Sequence, residues 1–312
     1  MTILKYNWTK YGIIWKPLNI SSETYSHATA PTPIKLDDSL IRVFYTSLDS
    51  SGVGRVFWVD VDSTNPTKII AFSETPVLDI GMPGMFDDNG VMALSVIRSH
   101  TGNLYMYYAG FEICEKIRYR ILTGLAISAD DGKSFTRYSE TPVLERSDGE
   151  NFFRCGTHVI YENEMYKMWY VAGNSWIELQ NRKFPVYNIR YSESMDGINW
   201  PRLGSIVLET DNTSHGYGRP WIIQNRNNNL EMFYSIRNPK TSKYSFGLAR
   251  KQLEDYWQRM DSDSGFDVGE SEFTRDAIMY GSFIEQNGKL YCFYNGDEFG
   301  REGFALAEVS ID

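Results

Sequence analysis

The chain has 312 residues, a length that fits one large domain or two ordinary ones. Aromatic residues make up 15% of the chain, and 25 glycines with many polar turn clusters favour a β-rich globular protein over a helical or disordered one. The formal net charge of -9 argues against nucleic acid polymers and anionic membranes as partners, although a local basic patch could still bind a small anion.

The N-terminal segment has no feature of a secretion signal. Its first twenty residues mix three lysines with aromatic residues and lack a continuous apolar core and a small-residue cleavage site. The three cysteines are widely spaced and odd in number, which suits reduced thiols better than a disulfide framework. We therefore expect a cytoplasmic protein.

One strand pattern, with an aromatic residue and a tyrosine inside an alternating apolar run, occurs five times. The copies are IRVFYTSLD from Ile41, LYMYYAGFE from Leu104, YKMWYVAGN from Tyr166, LEMFYSIRN from Leu230 and LYCFYNGDE from Leu290. Their central tyrosines are 63, 62, 64 and 60 residues apart. A unit of about 60 residues with several alternating strands fits a four-stranded propeller blade with extended loops. The sequence therefore predicts an all-β, five-bladed β-propeller that forms a single domain over residues 1–312.

The two ends of the chain complement each other. The segment WTKYGIIWKPL from Trp8 is similar to FTRYSETPVL from Phe135, which follows an Asp-Gly hairpin turn and reads as an outer strand. The last unit ends at GFALAEVSID without such a strand. We expect the N-terminal strand to close the last blade and so leave no open sheet edge. Two stacked β-sandwiches are the alternative, but they predict no fivefold period.

Candidate catalytic residues are carboxylates close to the start of a unit. In a propeller the first strand of each blade lines the central channel, and the loops at one face form a funnel for ligands. Asp88 opens the second unit, Asp276 opens the fifth, and Glu178 lies in a long insert of the third. Two carboxyl groups that face one pocket suit glycosyl hydrolysis or transfer, one as acid and the other as base or nucleophile. Asp88-Asn89-Gly90 is also an ordinary turn sequence.

Candidate binding residues are basic, polar and aromatic side chains in the same stretches. Several guanidinium groups at one funnel indicate an anionic sugar, a sugar phosphate or inorganic phosphate, because they bind phosphate and carboxylate in a two-pronged manner. The arginines could instead pair with nearby aspartates, and the aromatic rings could belong to the core. The substrate-binding candidates are His27, Asp87, Arg154, His158, Trp176, Tyr217, Arg219, Arg237, Tyr280 and Arg301.

No metal site is predicted. The histidines form no compact ligand motif. The run DSDSGFD from Asp261 looks like a calcium loop only superficially, because its glycine is one position too early and the closing glutamate is absent.

The order of SHATAPTP, FDDNGVM, LYMYYAG, GRPWII and FYNGDEFGREGFALA resembles five-bladed β-propeller proteins related to glycoside hydrolase families 32, 43, 62, 68 and 130. More narrowly, it resembles bacterial glycosidase-like proteins often found beside polysaccharide genes. The resemblance covers nearly the whole chain. It implies carboxylates from separate blades that act on a glycosidic bond without an organic cofactor.

The resemblance also identifies departures from the family pattern. Asp88 matches the acidic position at the start of blade two. The family 43 pattern expects an aspartate base in blade one and a glutamate acid in blade three. This chain has Ser26 and His27 in blade one and Arg154 in blade three. These departures argue against the usual inverting hydrolysis. Phosphorylases of family 130 dispense with the usual base because phosphate attacks, and the arginines are compatible with that reaction or with an anionic donor.

Three functions fit these features. The first is a carbohydrate-active enzyme that cleaves or transfers a glycosyl unit, with Asp88 and either Asp276 or Glu178 as acid and base. Its substrate would be an anionic, phosphorylated or nucleotide-linked sugar in bacterial polysaccharide metabolism. The second is a non-catalytic sugar-binding or scaffold propeller, and the third is a glycoside phosphorylase. Each implies a small-molecule carbohydrate, with phosphate or a nucleotide sugar as further ligands, and neither nucleic acid nor membrane as partner.

Overall fold

The computed structural model describes residues 5–17, 19–20, 23–179, 181–211, 214–225, 227–241, 243–252 and 256–311. Regular structure in these ranges is almost entirely β-strand, and the helices among them are short 3-10 turns at Asp261–Asp263, Glu272–Thr274 and Asp297–Phe299. Within the same ranges, no helix has the length and apolar character needed to span a membrane. The all-β class expected from the sequence is confirmed.

The strands are β1 (Tyr6–Trp15), β2 (Asn19–Ile20), β3 (Glu23–Thr24), β4 (Ser26–Lys35), β5 (Leu40–Leu48), β6 (Gly54–Asp62), β7 (Ile69–Phe72), β8 (Val91–Arg98), β9 (Leu104–Ile113), β10 (Tyr119–Ser128), β11 (Thr136–Arg137), β12 (Phe153–Glu162), β13 (Met165–Leu179), β14 (Arg182–Ser194), β15 (Ser205–Leu208), β16 (Gly216–Gln224), β17 (Leu230–Arg237), β18 (Tyr244–Lys251), β19 (Trp257–Arg259), β20 (Met279–Gln286), β21 (Lys289–Asn295) and β22 (Phe304–Ile311).

Most strands pair with their neighbours in the chain in antiparallel fashion. Group 1 is the sheet β4-β5-β6-β7. A twelve-stranded sheet follows, in which parallel contacts between β10 and β12 and between β14 and β16 separate three antiparallel groups. These are group 2 (β8 to β11), group 3 (β12 to β15) and group 4 (β16 to β19). Group 5 has the order β1-β22-β21-β20, so the N-terminal strand pairs with the C-terminal one.

The groups pack face to face on hydrophobic clusters. Phe44 of group 1 packs with Met106 of group 2 in one cluster, and comparable clusters join groups 2 and 3, groups 3 and 4, and groups 4 and 5. A further cluster joins Tyr45 of group 1 with Phe293 of group 5. The first strands also contact one another in order, and β20 contacts β4. The central axis of the molecule therefore lies among β4, β8, β12, β16 and β20.

The recurring aromatic strand is the second strand of each group. Its central tyrosines are buried because both faces of this strand are covered by neighbouring sheets. The hydroxyl of Tyr108 donates to buried Asp87 at 3.0 Å, and that of Tyr170 donates to buried Glu150 at 2.9 Å. The repeat thus combines a large apolar ring with a hydrogen-bond donor for a buried carboxylate.

The first strand of each group is interrupted by a β-bulge at the corresponding place. The pairing register shifts after Thr29, Ala93, Cys155, Gly218 and Met279. In four of these bulges one residue has a positive φ: Ala30 at 54°, Gly156 at 62°, Arg219 at 46° and Tyr280 at 58°. Because a bulge breaks the strict alternation of side chains, it can direct a residue toward the central axis.

Candidate functional site

A cavity of about 670 Å³ lies where the first strands meet. All five groups contribute to its lining, through residues that include Thr29, Leu94, Gly156, Arg219 and Tyr280. Four of these five residues belong to the bulges, and the volume lies in the range of small-molecule sites. The bulges therefore shape one central concave site.

The charged side chains that line this cavity are cationic. They are Arg118, Arg182, Arg219, Arg237 and Lys243, and no aspartate or glutamate in the described ranges lines it. Lys243 pairs with Asp276 at 2.7 Å. A concave surface with cations and no carboxylates has a positive potential, which attracts anions.

Arg219 is a buried residue of the cavity lining. Its side chain is 3% exposed, and its guanidinium group donates to the carbonyl oxygen of Tyr280 at 2.5 Å and to that of Pro31 at 2.8 Å. A third bond reaches the hydroxyl of Thr32 at 2.7 Å. These partners are neutral, and burial lowers the pKa of Arg219 to about 9. A buried cation without a carboxylate partner is stabilised when an anion binds beside it.

Arg237 lies between aromatic rings in the cavity wall. It is 8% exposed, and its Cζ atom is 5.1 Å from the ring centre of Phe184 and 5.2 Å from that of Tyr244. The hydroxyls of Tyr187 and Tyr244 are 2.6 Å apart, and the Tyr280 ring centre is 5.8 Å from that of Tyr244. Burial raises the pKa of Tyr187 and of Tyr280 well above 10, so both phenols remain neutral. Neutral phenols donate and accept hydrogen bonds, which suits sugar hydroxyls and anionic oxygens.

Comparison with known proteins identifies the family. Residues 34–268 match the family described as "Glycosyl hydrolases family 32 N-terminal domain". The chain belongs to this family. Two curated relatives, Uncharacterized protein Rv1502 of Mycobacterium tuberculosis strain H37Rv and Uncharacterized protein MT1551 of strain CDC 1551, are each 29% identical to this family 32 chain over 301 residues. Each alignment covers 96% of this chain and 98% of the relative.

Solved structures share the fold. A structure described as a glycoside hydrolase has a TM-score of 0.75 and 18% identity, and it covers 98% of this chain and 92% of its own. A structure from work on the family 130 mannoside phosphorylases, described as containing hydrolases of beta-1,2 mannosidic linkages in Candida mannan, has a TM-score of 0.72 and 14% identity, with 97% and 94% covered. A thermostable family 43 glycoside hydrolase has a TM-score of 0.61 and 13% identity, with 96% and 92% covered. The resemblance to glycosidase-like β-propellers is confirmed.

Three of the residues singled out from the sequence line the cavity of this family 32 chain: Arg219, Arg237 and Tyr280. All three lie in the first or second strand of group 4 or 5. The carboxylates proposed for catalysis do not line it.

Each of those carboxylates has another environment. Asp88 accepts hydrogen bonds from the backbone of Gly84 at 2.8 Å and from Asn89 at 2.5 Å, as expected of a turn. Glu178 is exposed on β13, opposite Lys183. Asp276 is exposed and lines an adjoining cavity of about 440 Å³. The hydrogen bond from Lys243 lowers the pKa of Asp276 below its ordinary value, which favours the ionised carboxylate over the general-acid form.

Three binding candidates instead stabilise the sheets. Asp87 is buried and accepts from Arg137 at 2.8 Å in addition to Tyr108. Arg154 is buried and forms a salt bridge with Glu150 at 2.5 Å. Tyr217 is buried, and its hydroxyl accepts from an arginine of β19 at 2.6 Å. Arg154 is therefore in an ion pair, but its partner is Glu150 and not one of the aspartates that the sequence analysis considered.

The remaining candidates do not line the cavity. The ring centre of His158 is 4.3 Å from that of Trp221, and burial lowers the pKa of His158 to about 3. Trp176 packs behind the wall, against Phe153 at 5.7 Å. Two more candidates, His27 and Arg301, lie away from the lining: Nδ1 of His27 is 2.9 Å from the Ser26 hydroxyl, and exposed Arg301 pairs with Glu298 at 2.8 Å.

Part of the cavity wall lies outside the first strands, where the sequence predictions placed the binding residues. Arg118, Arg182 and Lys243 lie at the turns between the second and third strands of groups 2, 3 and 4. A cation at the same turn in three successive units was the signal that could have identified them. In the described ranges no group of three or more His, Cys, Asp or Glu side chains is arranged to hold a metal ion.

Proposed function

We propose that the chain is a single-domain, five-bladed β-propeller that binds an anionic carbohydrate in its central cavity. The five antiparallel groups are the blades in this proposal. The contact of β20 with β4, the pairing of β1 with β22 and the hydrophobic cluster between groups 5 and 1 support closure of the ring.

The observation that carries the binding proposal is the charge of the cavity lining. Five cations and none of the described carboxylates face a space large enough for a small carbohydrate. Phenol groups beside Arg237 add neutral hydrogen-bonding partners. The ligand is therefore an acidic sugar, a sugar phosphate or a nucleotide-linked sugar, as expected in bacterial polysaccharide metabolism.

Binding without hydrolysis is favoured over a carboxylate-pair mechanism. Such a mechanism needs two carboxyl groups roughly 5 to 9.5 Å apart on either side of the glycosidic bond. Asp88, Asp276 and Glu178 all lie outside the described lining. For these residues to cleave or transfer a glycosyl unit, the glycosidic bond would have to lie outside the cavity that the cations line.

Phosphorolysis is the second candidate, and the arginines favour it over hydrolysis. In that reaction phosphate is the nucleophile, so no carboxylate base is needed to activate water. A cationic wall holds phosphate well.

The test is a calorimetric titration of the full-length chain with neutral sugars, uronic acids, sugar 1-phosphates and nucleotide-linked sugars. We expect binding of anionic compounds only. Arg237→Gln should weaken it by about 10-fold or more, because a charge-assisted hydrogen bond contributes about 1.5 to 3 kcal/mol. The matched control is Arg146→Gln, which removes an exposed arginine outside the cavity. Equal binding of neutral sugars, or binding of no anionic sugar, would refute the proposal.

The same samples test the second candidate. The protein is incubated with an oligosaccharide that it binds, with and without inorganic phosphate, and the products are analysed. If phosphorolysis occurs, a sugar phosphate is released only when phosphate is added. Asp276→Asn should not weaken binding, because it removes only the carboxylate that pairs with Lys243 of the cavity lining. Loss of binding would show that the adjoining cavity belongs to the site.

A cytoplasmic location is also part of the proposal. All three cysteines are free thiols, which supports a reducing compartment. Fractionation of cells that carry the tagged chain tests it, and a periplasmic or extracellular pool would contradict it.

A further inference from the structure

We propose that the cavity has two anion positions, a deep position at Arg219 and Arg237 and an outer position at Arg118 and Arg182, and that its ligand is a glycosyl diphosphate. This inference rests on the proposed function, because it specifies which anionic carbohydrate the cavity takes. It follows from where the four arginines lie and from how they are held.

The deep position is built from two arginines that are more than nine-tenths buried. Arg219 comes from the bulge in β16, and Arg237 is the last residue of β17. Both line the cavity. The Nε atom of Arg219 is buried and has no hydrogen-bond partner within the described residues. A donor in this state is satisfied when an acceptor oxygen enters the cavity beside it.

The outer position is built from exposed side chains at two neighbouring hairpins. Arg118 precedes β10 in group 2, and Arg182 begins β14 in group 3. Neither forms an ion pair within the described ranges. The two hairpins are packed together by the contact of Tyr119 with Trp176, whose ring centres are 6.0 Å apart. Arg118 and Arg182 line the same cavity, and an anion bound between two like charges stabilises both.

The two positions differ in how exposed their arginines are. The deep arginines are 3% and 8% exposed, whereas the outer arginines are exposed at the hairpin ends. A ligand that carries linked anionic groups satisfies both positions at once. A diphosphate attached to a sugar has this form, and its sugar would contact the phenols beside Arg237.

The structural test is to soak crystals of the full-length chain in inorganic phosphate. We expect two phosphate ions in the wild-type cavity. The double variant Arg118→Ala, Arg182→Ala should lose the outer ion and keep the deep one. The control is Lys183→Ala, which removes one positive charge from the residue that follows Arg182 in β14, outside the cavity lining. A single ion in the wild type, or an outer ion that persists in the double variant, would overturn the inference.

The solution test compares a sugar 1-phosphate with the nucleoside diphosphate derivative of the same sugar and with the free nucleoside diphosphate. The diphosphate-linked sugar should bind the wild type about 10-fold or more tightly than the monophosphate. This ratio should fall toward one in the double variant and persist in Lys183→Ala. If the monophosphate binds and the ratio is one in the wild type, the two-position inference fails while the proposed function stands. If no anionic sugar binds at all, the proposed function itself fails.

Discussion

Replacement of Glu150 by glutamine tests whether Arg154 stabilises the fold or serves a ligand. The Glu150 side chain is fully buried beside β12. Its carboxylate lies 2.5 Å from Nε of Arg154 and 3.0 Å from an NH group of Arg190, and it accepts from the Tyr170 hydroxyl at 2.9 Å. Glutamine keeps the size of the side chain and removes the charge between the two arginines.

The expected loss of stability is large because the arginines stay in place. Breaking a buried ion pair by removing one partner costs about 3 to 5 kcal/mol, since the remaining charge is left without compensation. For a chain of this size that loss lowers the Tm by roughly 5 to 8 °C. Urea unfolding followed by tryptophan fluorescence measures the free energy directly.

The matched control is Asp148→Asn. Asp148 is fully exposed and lies 3.6 Å from an arginine that is also largely exposed. A surface substitution of this kind changes stability by about 0.5 kcal/mol or less. A loss below about 1 kcal/mol for Glu150→Gln would refute the reasoning, because Arg154 would then be independent of Glu150 and available to a ligand.

The remaining predictions concern buried groups. Burial lowers the pKa of His158 to about 3, whereas a histidine in the unfolded chain has an ordinary pKa near 6.5. The unfolded chain therefore takes up the proton first, and the free energy of unfolding falls as the pH drops from about 6.5 toward 3. The variant His158→Gln should reduce this loss by up to about 1.4 kcal/mol per pH unit in urea titrations at pH 7 and 5, and equal losses in both proteins would contradict the assignment. Gly156 has a φ of 62°, and a Cβ there would lie 2.7 Å from Val171, so Gly156→Ala should destabilise by about 1 to 3 kcal/mol. Gly149→Ala, at a φ of 82° with nothing within 4 Å, should cost less, and equal costs would show that the contact with Val171 contributes nothing. Burial raises the pKa of the Cys155 thiol to about 12. A thiol reagent at pH 8 should therefore label half-buried Cys114 in the native protein and label Cys155 only in urea. Prompt labelling of Cys155 in the native protein would contradict its burial.

The sequence predicted the strands whose pattern is local and missed contacts that depend on packing. The recurring aromatic strand was recognisable because a strand covered on both faces is apolar along its whole length, as β9 is. Arg219 and Arg237 were found because they lie in or beside the first strands. Asp87 and Arg154 lie equally close to those strands, but their side chains contact Arg137 and Glu150. Only the packing of the sheets distinguishes the two pairs.

The outer arginines show a second limit. Arg118 and Arg182 lie in different groups, and both line the same cavity. The repeat places them at the same turn of two successive groups, but it does not indicate on which side of the sheets that turn lies. The side on which a hairpin end lies became evident only from the arrangement of the sheets.

The matching irregularities in the first strands have a consequence for how such a protein could be altered. Each group contributes to the cavity lining a residue of its β-bulge or one directly beside it. The hydrogen bonds between the first and second strands lie on either side of the bulge. Substitutions at Leu94 or Tyr280 should therefore change the chemistry of the cavity and leave strand pairing intact. The strand pairing of each group is therefore independent of the side chain that the group presents to the cavity. The ligand preference can be redesigned one group at a time.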